Sequence, residues 1–200
     1  MTTNIQAHLK VDESEKWSHI FWDRGTDFRD FFDRLDLSCA IELGCAKGIH
    51  SKQAAALAHY LMVFDTSEEK LSECKTKLSG VRNVAFMKGD GSSFQPVANA
   101  TVTSIFSYDA MVLLDTDTVR KYLNDASRVL ARNGMALFHH SNNAADPESP
   151  FRTMPHGRQF MTRERFSEYA VAAGLKVIES KVRQWGGVAN LDCLTLLQKP

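Results

Sequence analysis

Three carboxylates, a run of small residues and a pair of histidines are the groups in this chain whose types and spacing suit chemistry. Glu42 lies in the apolar run Ala40-Ile41-Glu42-Leu43, which leads into Gly44-Cys45-Ala46-Lys47-Gly48. A strand ending in an acid, then a small-residue loop that opens a helix, sets backbone N–H groups and a helix N-terminus against one end of a small polar ligand. The plainer alternative is a tight strand-to-helix turn that needs small residues for packing. Asp65 ends a second apolar run, Leu61-Met62-Val63-Phe64, about 20 residues past the glycines. A doubly wound fold uses an acid at that distance to hold a ribose, because a carboxylate accepts from both hydroxyls of the diol. Thr66, with Glu69 three residues on, reads as a capping box for the next helix, which leaves Asp65 for a ligand. Asp90 follows a third run, Val84-Ala85-Phe86-Met87, inside Lys88-Gly89-Asp90-Gly91. Asp and Gly also favour turns at such a place. His139 and His140 follow a later run, Met135 to Phe138. A histidine titrates near neutrality and can take a proton from a nucleophile.

The elements that must position these groups alternate regularly. A helical stretch runs from the loop to about Tyr60, and Ser67 to Leu78 reads as a helix with Leu71, Cys74 and Leu78 inward. Val102 to Tyr108 is a fourth strand, ending at Asp109. Val119, Tyr122, Leu123, Ala126 and Leu130 form a helical stripe that Asn133-Gly134 stops as a C-cap. Met135–Phe138 is the fifth strand. Strands alternating with helices predict a parallel sheet. Thr162 caps a last helix carrying Phe166, Tyr169, Ala170 and Ala173. The stretches 176–184 and 190–198 then flank Trp185-Gly186-Gly187-Val188 as an antiparallel hairpin. Before the sheet, Phe28, Phe31, Phe32 and Leu35 share one helix face, and Trp17, Ile20 and Phe21 suggest a second short helix. The segment 141–161 is rich in Pro, Asn, Arg and His and lacks an apolar period. A loop of that length in a compact domain carries function or moves.

Composition narrows the class. The chain has 200 residues, 44% of them hydrophobic, which suffices for one domain with a full core. Lys+Arg and Asp+Glu are both 24, so the formal net charge is zero and no nucleic-acid footprint is expected. Met1 to Lys10 lacks an apolar signal core and no window reaches membrane-spanning length, so the expectation is a cytoplasmic protein without a membrane partner. Cys39, Cys45, Cys74 and Cys193 form no C-x-x-C pair and read as reduced residues without a zinc site.

The pattern G-x-A-x-G, with Glu42 two residues ahead of Gly44, resembles motif I of the class I S-adenosylmethionine-dependent methyltransferases. It is not the G-x-G-x-x-G of dinucleotide-binding enzymes. The resemblance spans residues 36–200 and implies an α/β, Rossmann-like fold. In it a seven-stranded, mostly parallel sheet with an antiparallel C-terminal hairpin carries helices on both faces. It implies one domain over 1–200, divided into a helical lid (1–36), a cofactor-binding core (37–140), a substrate loop (141–161) and a C-terminal helix and hairpin (162–200). S-adenosylmethionine would be the cofactor and S-adenosylhomocysteine its product. Glu42 would lie near the methionine end, and Asp90 would accept from the adenine amine. Gly44, Cys45, Ala46, Gly48, Asp65, Thr66, Gly91 and Tyr108 complete the expected cofactor contacts.

Ligands bind beyond the carboxyl ends of parallel strands, so the fourth and fifth strands aim at the acceptor. Successive strand residues face opposite sides, so His139 and His140 should not share a task; one is the expected base, with His140 favoured as lying further past the strand end. Trp22, Asp109, Asn142, His156 and Arg158 are the expected acceptor contacts. The donor-rich 141–161 loop suits a hydroxylated or anionic small molecule. Ser107-Tyr108-Asp109 is not the N/D-P-P-Y/F signature of base or glutamine N-methylation. Nor does Asn142-Asn143 keep the acid of metal-dependent catechol-type enzymes. The expectation is therefore metal-independent O-methylation of a small hydroxylated molecule, such as a sugar, by a monomer or homodimer. N-methylation of a small amine and a non-catalytic cofactor-binding module are the alternatives.

Overall fold

A computed structural model describes residues 21–145 and 155–200. The expected helix around Trp17 and Ile20, and the middle of the 141–161 segment, lie outside the described residues. In chain order the elements are α1 (Asp27–Phe32), β1 (Ala40–Leu43), α2 (Ile49–Ala55), β2 (Leu61–Asp65), α3 (Glu68–Lys77) and β3 (Val84–Lys88). There follow β4 (Val102–Ser107), α4 (Thr116–Val129), β5 (Leu130–Ser141), α5 (Arg163–Ala172), β6 (Lys176–Trp185) and β7 (Val188–Gln198). The strands form one sheet in the order β3-β2-β1-β4-β5-β7-β6. β3, β2, β1, β4 and β5 pair in parallel, while β7 runs antiparallel to both β5 and β6. The chain leaves β1 for one side of the sheet and returns to β4 on the other. That reversal opens a crevice beyond Leu43 and Ser107, where such folds take ligands.

Burial explains the strand sequences. β1 is buried at all four positions because helices cover both sheet faces, which is why it reads as an apolar run rather than an alternation. One face packs Val119, Tyr122, Leu123 and Ala126 of α4 and Phe166 and Ala170 of α5. The other packs Phe28, Phe31 and Phe32 of α1 together with Ala54, Leu71 and Cys74. The aromatic face of α1 therefore pads the sheet.

Three local expectations are corrected. α3 is capped by Ser67, whose hydroxyl accepts from the Lys70 N–H at 3.3 Å, and not by Thr66. α4 ends at Val129, and Leu130 already pairs with Val102, so Asn133-Gly134 is a kink inside β5 and not a helix cap. Asn133 takes a left-handed φ of 65° there, and the register to β4 shifts across the kink. The third concerns the end of β5. His139 and His140 do not lie past the strand; they pair with Leu194 and Cys193 of β7. Their alternation across the sheet holds, and it decides their different surroundings.

Candidate active site

At the crevice, β1, β2 and β3 end around a cavity of about 310 Å³, the size of a small-molecule site. Gly44, Ala46, Asp65, Thr66, Gly89, Gly91 and Tyr122 are among its walls, with Asp109, Ala110, Leu113 and Leu114 across from them. The loop is drawn tightly onto β2. Gly44 and Cys45 donate their N–H groups to the Phe64 carbonyl at 2.8 and 3.0 Å, and the Ala46 N–H donates to Asp65 Oδ2 at 3.0 Å. These amides are thus spent on shaping the loop, rather than presented to a ligand. Gly44 sits at φ +79°, and a Cβ on it would lie 2.3 Å from the Ala110 Cβ. Gly48 caps α2 at φ +77°, where a Cβ would meet Cys74 Sγ at 2.8 Å. Only glycine serves at either position.

Two acids stand at the ends of β1 and β2: Asp65 lines the cavity, and Glu42 is not among its walls. Glu42 is buried and its Oε2 has no hydrogen-bond partner among the described residues. Burial pushes its carboxyl up to about 8, against the hydrogen bond with Ser51. A buried polar atom left open in this way costs stability unless a ligand donor fills it. Asp65 accepts one backbone N–H on each oxygen, from Ala46 and from Ser67. Each oxygen keeps a second lone pair for a ribose hydroxyl. Asp65→Ala should weaken binding of S-adenosylhomocysteine by roughly 1.5–3 kcal/mol, as for hydrogen bonds to a charged acceptor. Calorimetry reads this directly, and unchanged affinity would put the diol elsewhere.

Other expected cofactor residues are placed differently. Asp90 turns into its own loop, where Oδ1 accepts from the Ser92 and Ser93 amides, both at 2.7 Å, and Oδ2 from the Ser93 hydroxyl at 2.6 Å. Those bonds, the Ser93 hydroxyl first, hold its carboxyl below the usual range. Its neighbours Gly89 and Gly91 line the cavity instead. Cys45 is buried against α3. Tyr122 and Leu114 were not expected at the cavity. Tyr122 belongs to the apolar stripe of α4, and its period alone marks it as core.

Beyond the cavity, past β4 and β5, a second group of side chains converges. His139 stacks on Tyr108 with ring centroids 4.5 Å apart. Its Nδ1 accepts the Asp109 backbone N–H at 3.1 Å, and its Nε2 lies 3.0 Å from Asp192 Oδ2. Arg158 faces Asp192 with two nitrogens, Nε to Oδ1 at 3.0 Å and Nη2 to Oδ2 at 2.9 Å, and Nη2 also reaches Asp109 Oδ1 at 2.7 Å. The guanidinium lies 4.7 Å above the Trp185 ring. Burial works against the Asp192 charge, but the bonds from His139 and Arg158 prevail and hold its carboxyl below the usual range. Asp109 takes φ +56°, an uncommon conformation for a residue with a side chain, and its carboxylate is 45% exposed at the cavity wall. Phe21 lies 4.4 Å from Tyr108 by ring centroids, and His50 lies 5.0 Å from it.

Sequence reasoning missed Asp192, Trp185 and His50 as members of this group. Asp192 lies within β7 and pairs with Ser141, a juxtaposition only the hairpin register reveals. The signal for His50 was its place in the first turn of the helix that the glycine loop opens.

Other expected acceptor residues do structural work. His140 is fully buried on the opposite face, stacked 3.7 Å from Phe166, with Nδ1 against the Ser141 carbonyl and Nε2 against Thr195 Oγ1. Its ring is held between Phe166 and Thr195 on the face away from Tyr108 and Asp109, which corrects its choice as base. Arg158 is 4% exposed and engaged by two carboxylates, so it offers an anion no free charge. Asn142 accepts the Arg163 N–H at the start of α5 and donates to the Asn190 carbonyl, tying helix to hairpin. Trp22 is buried among Phe28 and Phe32 and donates to His50 Nδ1 at 2.9 Å. His156 Nε2 lies 3.1 Å from the Gly186 carbonyl.

Burial pushes the His140 imidazole down to about 3, against the pull of the Ser141 carbonyl. A histidine near 6.5 in the unfolded chain and lower in the fold contributes stability fully present above about pH 6.5 and lost as pH falls toward the folded value. His140→Asn should flatten the loss of stability between pH 6 and pH 5 by about 1.4 kcal/mol per unit. Denaturant titrations at the two pH values measure this, and an unaltered slope would place the acid sensitivity elsewhere.

Residues 40–134 match a family model described as a methyltransferase domain. No curated protein matches the chain. Among solved structures, an S-adenosylmethionine-dependent methyltransferase from Mesorhizobium loti superposes with a TM-score of 0.69 at 12% identity, covering 86% of this chain and 97% of its own. The geranyl diphosphate C-methyltransferase of Streptomyces coelicolor A3(2), solved with Mg2+, geranyl diphosphate and S-adenosylhomocysteine, gives 0.70 at 11%, covering 86% and 79%. A putative methyltransferase bound to the Haloferax volcanii Trm112 methyltransferase activator gives 0.71 at 14%, covering 95% of each chain. The fold is the one shared with these methyltransferase structures, and residues 40–134 are similar to a methyltransferase domain. Among the described residues no helix is long and apolar enough to cross a membrane.

Proposed function

We propose that the protein transfers the methyl group of S-adenosylmethionine to a hydroxyl of a small, uncharged, hydroxylated molecule, such as a sugar, without a metal ion, and that His139 is the general base. The observation that carries this is the His139 ring itself. Itself buried at 1% exposure, it stands between Asp109, at the cavity wall, and the buried Asp192, with Nδ1 holding a lone pair toward the Asp109 amide. Asp65 would hold the ribose diol of S-adenosylmethionine, which when bound would supply an electrophilic methyl group on a sulfonium. An acceptor hydroxyl that displaces the Asp109 N–H from Nδ1 gives up its proton there. The resulting imidazolium is met by the Asp192 carboxylate. Tyr108 fixes the ring plane by stacking, and Asp109, at the cavity wall, offers an exposed carboxylate to a neighbouring hydroxyl.

An uncharged acceptor follows from Arg158, whose charge is already met by Asp192 and Asp109. The same pairing supports metal independence. Asp109 and Asp192 are committed to Arg158 and His139, and among the described residues no three His, Cys, Asp or Glu side chains gather at metal-ligand spacing. The test is steady-state transfer to a panel of neutral polyols and sugars with and without EDTA. Equal rates are expected. Loss of turnover in EDTA with recovery on adding magnesium would overturn both the metal independence and the base.

A further inference from the structure

We propose that Asp192 is the positioning residue of this site: it fixes His139 in the tautomer that carries its proton on Nε2 and its lone pair on Nδ1, and Arg158 holds Asp192 in place to do so. The inference deepens the reading of His139 as base. The argument starts from a donor with no choice. The Asp109 backbone N–H can only donate, and it points at Nδ1 from 3.1 Å, so Nδ1 accepts. A neutral imidazole then bears its hydrogen on Nε2, which donates to Asp192 Oδ2 at 3.0 Å. Asp192 is fully buried and cannot turn, because Arg158 spans both its oxygens from Nε and Nη2. The guanidinium itself lies over the Trp185 ring, 4.7 Å from its centroid, and is tied by Nη2 to Asp109. One arginine thus links the group that orients the base to the loop residue at the cavity wall.

Asparagine at position 192 separates orientation from shape. One carbonyl oxygen cannot serve Arg158 Nε, Arg158 Nη2 and His139 Nε2 together; with that oxygen on Arg158 Nε, the amide NH2 takes the Oδ2 position, beside Arg158 Nη2 and facing His139 Nε2. That nitrogen must then accept, and the ring proton moves to Nδ1, opposing the Asp109 N–H and removing the lone pair a base needs. In a serine protease, the corresponding exchange leaves the geometry intact and lowers turnover about 10⁴-fold by imposing the wrong tautomer.

The experiment is long-range ¹H–¹⁵N correlation of the imidazoles in the full-length protein near pH 7.5, with His139 assigned by its absence in His139→Gln. The wild type should show a protonated Nε2 and an unprotonated Nδ1. Asp192→Asn should show the reverse, while Arg158→Lys, which keeps the carboxylate, should retain the wild-type pattern. With any hydroxylated acceptor that turns over, Asp192→Asn should lose roughly 10²–10⁴-fold in kcat, with KM for S-adenosylmethionine within about twofold. A wild-type ring protonated on Nδ1 overturns the proposal even if the variant fails to fold. So does an Asp192→Asn protein that folds with the wild-type tautomer. If the tautomers behave as stated but His139→Ala transfers methyl groups at the wild-type rate, the base reading fails and the positioning by Asp192 stands.

Discussion

Gly44→Val should abolish binding of S-adenosylmethionine and S-adenosylhomocysteine while leaving the chain folded. A Cβ at this position would stand 2.3 Å from the Ala110 Cβ, and the backbone sits at φ +79°, where a β-branched residue is strained. The loop cannot relax downward, because the Gly44 and Cys45 amides are bonded to the Phe64 carbonyl and the Ala46 amide to Asp65. Relief must come from Ala110, which lines the cavity with its neighbours Leu113 and Leu114. The side chain therefore takes ligand space and displaces the opposite wall together. A loss of more than about 100-fold in affinity is expected, equivalent to more than about 2.8 kcal/mol. Gly44→Ala should fall between wild type and valine. Calorimetric titration with S-adenosylhomocysteine, alongside circular dichroism to verify folding, measures this. Normal affinity in a folded valine variant would show that the cofactor does not approach this loop.

The second large effect concerns turnover. His139→Ala should lower kcat by roughly 10²–10⁴-fold, the range for removing a general base, with cofactor affinity almost unchanged. His139 is not among the walls of the cavity and touches it only through the Asp109 amide. His140→Ala should behave otherwise. Its ring packs on Phe166 and bonds Thr195 within the core, so stability should fall by about 2–5 kcal/mol as for other large buried truncations. The surviving folded fraction should turn over normally. Steady-state kinetics normalised to folded protein separates the two variants. Equal losses in both would mean that the division of labour across the strand is wrong.

Much of the architecture was legible because parallel strands buried on both faces read as unbroken apolar runs. Ala40–Leu43 and Leu61–Asp65 stand where their sequences put them, as does the half-buried edge strand Val84–Lys88, and the Gly186-Gly187 turn announces the hairpin. The glycine loop and Asp65 were legible for the same reason: they sit where an apolar run stops. The site beyond them was hidden by register. Whether His139 or His140 faces the crevice depends on which sheet face the helices leave open, and no local pattern carries that. Asp192 and Arg158 meet His139 only because β7 folds back along β5, pairing Ser141 with Asp192. Arg158 looked like a surface donor because the segment around it lacks an apolar period, yet its charge is consumed within the fold. Asp90 shows local bonding that the sequence did not announce. Its position predicted a ligand contact, and Ser92 and Ser93 follow it closely enough to bond both oxygens, leaving Oδ2 with a single partner.

The most direct test of the account is the product. The protein would be incubated with S-adenosylmethionine carrying a ¹³C-methyl group and a panel of neutral sugars and polyols, with small amines alongside, and the new methyl resonance located by NMR. The account predicts a methyl bonded to oxygen, formed by the wild type in EDTA and reduced by at least about 100-fold in His139→Ala. A methyl bonded to nitrogen, or an O-methyl product formed equally fast without His139, would contradict it.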